Sequence, residues 1–136
     1  MTNPDFSLSR AVAFLSFAAA IILLSLACIL PELAIQRLCD KAYGILEQAI
    51  TAADGEDFAK AERLASDLIK LIGESSDMLK LTYDHGVVFE LECRLESAYY
   101  IARAKDAAQL LEELCGAKTN LQDMLRSNEA SLVNLI

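Results

Sequence analysis

The chain holds one histidine, His85, and it stands beside Asp84. An imidazole titrating near neutral pH next to a carboxylate is half of a proton relay. A lone histidine cannot supply the several ligands that zinc takes. The plainer reading of Asp84-His85 is a break between helices that caps or packs there. Four cysteines occur, Cys28, Cys39, Cys93 and Cys115, with no Cys-x-x-Cys pair, so neither a zinc knuckle nor a thioredoxin-type centre is indicated. Their helix-like positions predict small buried hydrophobes. A Cys93–Cys115 bridge, or an intermolecular bridge through Cys39, becomes available if they face an oxidising compartment.

A nucleophilic site needs Ser or Cys on a strained turn or beside a base, and there is no Gly-x-Ser-x-Gly. Asp54-Gly55-Glu56-Asp57 lacks the spacing of a calcium loop and reads as a turn plus a cap. Walker and Rossmann glycine patterns are missing from the sequence, so nucleotide binding has no support. The expectation is a non-enzyme with no cofactor and no metal. The sharper surface residues are Glu92 and Glu96, four apart on one helix face, and Tyr100, whose neighbour Tyr99 is expected to turn toward the core. With Asp84 and His85 they are the candidate interaction residues. A solvated face is the plain alternative; a dock for a basic partner surface is the pointed one.

These residues sit in a chain with two unlike parts. Ala11 to Leu30 is twenty residues without a charge. At about 1.5 Å per residue such a helix spans about 30 Å, a hydrocarbon core. Arg10 closes one end and Pro31-Glu32 the other, with Pro31 expected in the first turn of a new helix or at a kink. Two rival readings exist. A signal peptide cut after Ala27 would use Ser25 and Ala27 as its small residues, but the apolar run continues past the cut. A lipoprotein signal would lipidate Cys28, but Ser25-Leu26-Ala27 fits that pattern badly. The expected layout is a tail over 1–10, a transmembrane anchor over 11–30 and an acidic helical domain over 31–136. A very short amino-terminal tail favours tail inside and an extracytoplasmic domain, in a single-pass protein of the cell membrane.

Net charge is −8; Asp5 and Arg10 cancel, so the domain's 19 acids and 11 bases carry all of it. Such a domain repels phosphate backbones, which excludes nucleic acid as a partner, and it gains little from anionic headgroups. Four amphipathic stretches follow the anchor, and no stretch alternates with period two. The first carries Ile35, Leu38, Ala42, Ile45 and Ala49, and ends at Gly55 with Asp57 capping the next. The second runs from Phe58 to about Leu81, weakened or bent near Gly73 and Ser75-Ser76. The third carries Val88, Leu91, Leu95, Ala98 and Ala102. The fourth opens at Asp106 and carries Ala107, Leu110, Leu114, Leu121 and Leu125. The apolar end, Leu132 to Ile136, is expected to dock on the domain. Short connections predict an all-α fold, an antiparallel bundle of about four helices in two hairpins. A tetratricopeptide-like stack is disfavoured, because Asp57 and Asp106 open helices 49 residues apart, where that repeat has about 34.

One resemblance spans nearly the whole chain. After the apolar span come Glu56-Asp57-Phe58-Ala59-Lys60-Ala61-Glu62, then Asp84-His85, then Ala104-Lys105-Asp106, then Ser131-Leu132-Val133-Asn134-Leu135. In order and spacing the chain resembles domain-of-unknown-function family four-three-six-three, short single-span helical membrane proteins of clostridia-like Firmicutes. Gly73-Glu74-Ser75-Ser76 stands where that family has a richer Glu/Lys helix. The resemblance implies a membrane-anchored helical domain and supplies no activity. It also implies a multi-pass membrane protein as partner. Taken together, the expected function is a non-catalytic interaction, accessory or structural module, bound to lipid through 11–30 and to a membrane protein or a second copy. An extracytoplasmic ligand-sensing domain acting through a membrane partner is the alternative.

Overall fold

The computed structural model describes the backbone of residues 4–133 and the side chains of 12–27 and 29–127. It is all-helical, with five helices and no strand among the described residues: α1 (Pro4–Asp54), α2 (Phe58–Glu74), α3 (Ser76–Thr82), α4 (His85–Ala104) and α5 (Ala107–Val133). The chain divides after Ala34 into two compact units.

The described residues of the first unit, from Pro4, are all helical. One helix, close to the amino terminus, is long and apolar enough to cross a membrane, with mean hydropathy 2.7 over its most apolar window and none of that window buried. Phe14 is 81% exposed and Leu23 67%. The Ser16 hydroxyl donates to the Val12 carbonyl at 2.7 Å and the Ser25 hydroxyl to the Ile21 carbonyl at 2.9 Å. Both polar side chains are thus satisfied by the helix's own backbone. Helix α1 runs on through Pro31 instead of restarting there.

The second unit has its own core. On α1, Ile35, Cys39, Ala42, Leu46, Ala49 and Ala53 are buried, stepping four and three alternately. Leu38 and Ile45, expected in that core, flank it instead. The reason is a seam of period 3.5, which selects Cys39 and Leu46. On α4 the five expected residues, Val88 to Ala102, are all buried; on α5 the core is Leu110, Leu114, Ala117, Leu121 and Met124. Ala107 and Leu125 lie at its margin. Alanines at Ala42, Ala49, Ala61, Ala65, Ala98 and Ala117 let backbones approach closely. Helix α2 packs on α4, and α4 on α5. Between α1 and α5, Lys118 Nζ reaches Glu47 Oε1 at 3.1 Å, and Gln122 Nε2 donates to the Tyr43 hydroxyl at 3.2 Å.

The turns explain themselves locally. At the end of α1 the left-handed residue is Glu56 (φ 57°), not the expected Gly55. Glu56 N–H donates to Ala53 O and Asp57 N–H to Ala52 O, at 3.0 and 2.8 Å. That pairing fixes the helix end one residue later than glycine suggests. The α4–α5 turn repeats it: Lys105 has φ 59°, Lys105 N–H donates to Ala102 O and Asp106 N–H to Ile101 O. Each turn then starts a helix with an aspartate cap: Asp57 accepts from Lys60 N–H and Asp106 from Gln109 N–H, both at 3.1 Å. The expected second stretch, Phe58 to Leu81, is two helices. It breaks at Ser75, where φ is −111° and ψ is 4°, and not at Gly73, which stays inside α2. The apolar end expected to dock, Leu132 to Ile136, lies outside the described side chains.

Candidate interaction surface

Helix α4 carries every candidate surface residue or its cap, so its local chemistry comes first. Tyr83 is buried beneath the α3–α4 junction. Asp84 then caps α4, its Oδ1 accepting from Gly86 N–H at 2.8 Å. A Cβ on Gly86 would approach that same oxygen at 2.9 Å, which is why glycine suits the position. Asp84 is therefore engaged with backbone, and the structure does not pair it with His85 as a relay. His85 is exposed in the first turn of α4 and lines a shallow depression with Asp77, Lys80 and Leu81. Among the described residues no group of three or more His, Cys, Asp or Glu side chains converges as a metal site.

Glu92 and Glu96 part company. Glu92 is half-buried, accepts from the Ser76 hydroxyl at 2.6 Å and pairs with Lys80 at 3.4 Å, tying α3 to α4. Glu96 is exposed one turn further along. Tyr100 is 65% exposed, its ring meeting Tyr99 edge-on at 5.3 Å between centroids. Tyr99, expected in the core, is half-buried at its margin. The Arg103 guanidinium lies 5.9 Å from its ring centroid and 3.7 Å from Glu62 of α2.

The cysteines correct the sequence reading most. Cys39 alone among the described ones is buried; Cys93 and Cys115 are exposed, and all three are free thiols, so Cys93 and Cys115 are not bridged. Burial pushes the Cys39 thiol up to about 11, against a hydrogen bond from Tyr83 that lowers it.

Between α2 and α4 lies a groove of about 290 Å³, lined by Ile69, Ile72 and Gly73 on one side and Phe89, Cys93 and Glu96 on the other. Sequence reasoning missed it. Half the signal was present, since Phe89, Cys93, Glu96 and Tyr100 repeat at four, three and four residues. The α2 wall is set by tertiary packing and leaves no local trace.

No family model, no curated protein and no solved structure matches the chain. No family membership is shown.

Proposed function

We propose that this chain is a single-pass membrane protein in which residues 11–30 anchor an antiparallel four-helix bundle, and that the bundle binds another protein and catalyses nothing. The observation that carries the reading is an apolar stretch of α1 with none of its most apolar window buried, while the core of the second unit begins only at Ile35. A core helix of a water-soluble protein would hide those side chains. Leaving them in water costs about 1.5–3 kcal/mol for each large one, on the order of tens of kcal/mol for the run. Lipid removes that cost, and the inward-bonded Ser16 and Ser25 hydroxyls leave little polarity to desolvate. On this reading the bundle faces the extracytoplasmic side, an orientation that labelling tests directly.

Fractionation of cells lysed without detergent tests this. The chain should sediment with membranes, resist an alkaline wash and dissolve in detergent with its full-length mass. Recovery in the aqueous fraction, or a mass lacking the first 27 residues or so expected of a signal peptide, would refute the anchor. Orientation follows from labelling intact cells with a membrane-impermeant maleimide, read at exposed Cys93 and Cys115.

A further inference from the structure

The outward side of α4 carries Phe89, Cys93, Glu96 and Tyr100, all exposed, along twelve residues of one helix face. Steps of four, three and four are the seam spacing by which one helix receives another, here over about 16 Å. Phe89 is 63% exposed, a large apolar side chain left at the surface. Next to the seam the α2–α4 groove sinks to buried Ile72 and Leu95. Gly73 lines the groove beside open space, where a Cβ would meet nothing within 4 Å. The groove's lining includes Glu92 and Glu96 and no basic side chain. Other described depressions carry both signs: Lys41, Lys70, Asp67 and Glu74 in one, Asp40 and Arg126 in another.

We propose that this groove binds an amphipathic helix of another protein, presenting bulky apolar side chains at helical spacing flanked by Lys or Arg. The proposal deepens the reading of the bundle as a binding module and rests on it. Charge selects the occupant. Glu92 is already paired with Lys80, so the exposed Glu96 carboxylate sets the charge: a second copy of this chain, of net charge −8, is disfavoured against it, whereas flanking cations would meet it. Two antiparallel helices leave between them the slot that a third helix fills, so apolar anchors enter beside Phe89 while the cations stay at the rim.

The test uses the full chain in nanodiscs of zwitterionic lipid and a helix-forming peptide of about twenty residues with Leu and Phe along one face and Lys beside them. Cys93 lines the groove and Cys115 does not, so maleimide alkylation read by mass spectrometry reports the site with an internal control. With peptide at about ten times its dissociation constant, Cys93 alkylation should slow about tenfold and Cys115 alkylation should not change. Glu96→Lys should raise the peptide concentration needed by about fivefold, and Phe89→Ala by about thirtyfold. Both positions are exposed, so these variants keep the core. Equal slowing of both cysteines, slowing of neither, equal protection by a peptide with Glu in place of Lys, or protection by raising the protein concentration alone would each overturn the proposal. The groove is read at Cys93 and the anchor by fractionation, so either reading can fail while the other stands.

Discussion

Arg94 of α4 lies over Gly116 of α5: a Cβ built on Gly116 would fall 2.7 Å from the Arg94 Cζ. Through that gap the guanidinium reaches Glu113 at 3.3 Å, while it also holds Glu90 on its own helix at 2.9 Å. The Glu90 hydrogen bond, above the other contacts, raises its pKa. A glycine inside a helix costs about 1 kcal/mol relative to alanine, and the contact with Arg94 is what the chain obtains for it. Gly116→Ala alone should therefore change stability little, because the helix gain is offset as Arg94 is displaced. In an Arg94→Ala background the same change should stabilise by about 1 kcal/mol. Denaturant unfolding of the four chains measures the coupling, expected at about 1 kcal/mol; zero coupling would mean the contact is incidental.

Cys39 should resist thiol reagents in the folded chain while Cys93 and Cys115 react, since a thiolate is needed and burial holds Cys39 protonated. The group is raised in the folded state, from 9.0 to about 11. Its contribution is whole below pH 9 and fades as pH climbs to 11, because the unfolded chain loses that proton first. The stability gap between the native chain and Cys39→Ala should narrow by about 2 kcal/mol across that window. A parallel pair of pH profiles would contradict it.

Glu56→Gly and Lys105→Gly should each stabilise, by about 0.5–1 kcal/mol, since both residues occupy a left-handed conformation that glycine adopts freely. Gly55→Ala should be tolerated, as Gly55 has no positive φ and its nearest new contact is 3.5 Å away. Thermal unfolding decides it; destabilisation by either glycine would contradict the turn geometry.

Helix α3 is fastened to α4 through Glu92. Glu92→Ala removes the Ser76 and Lys80 contacts and should cost about 1 kcal/mol. Amide exchange should accelerate over Ser76–Thr82 and stay unchanged in α5. Uniform acceleration would show that Glu92 supports the whole unit.

Leu23→Arg places a cation near the middle of the apolar run, at an application cost of about 2.5–3.5 kcal/mol for insertion. The variant should move in part from the membrane to the aqueous or degraded fraction, whereas Leu81→Arg, on an exposed apolar residue of α3, should not. Identical partitioning of the two would remove the distinction between the segments.

Much of the fold was readable because period carries packing. Val88, Leu91, Leu95, Ala98 and Ala102 announce a buried helical face, and all are buried. Caps were readable too, because Asp57 and Asp106 act within four residues of themselves. The break at Ser75 was legible only as weakness, since glycine loosens a helix without fixing where it stops. The cysteines were misjudged for a different reason. Cys93 and Cys115 lie on the sides of α4 and α5 turned away from the buried seams, and the general tendency of cysteine to be buried outweighed that phase. Of the surface, Glu96 and Tyr100 were legible as exposed residues, but the wall that α2 adds at Ile69 and Gly73 belongs to tertiary structure.

The matched turns at Glu56-Asp57 and Lys105-Asp106 carry a kinetic consequence. Each hairpin closes over neighbours in sequence, so its loop entropy is small and it forms early. The α1–α5 contacts, Glu47 with Lys118 and Tyr43 with Gln122, join residues 71 and 79 apart and must come last. During synthesis the leading hairpin is therefore ready as a template before the trailing one has left the ribosome.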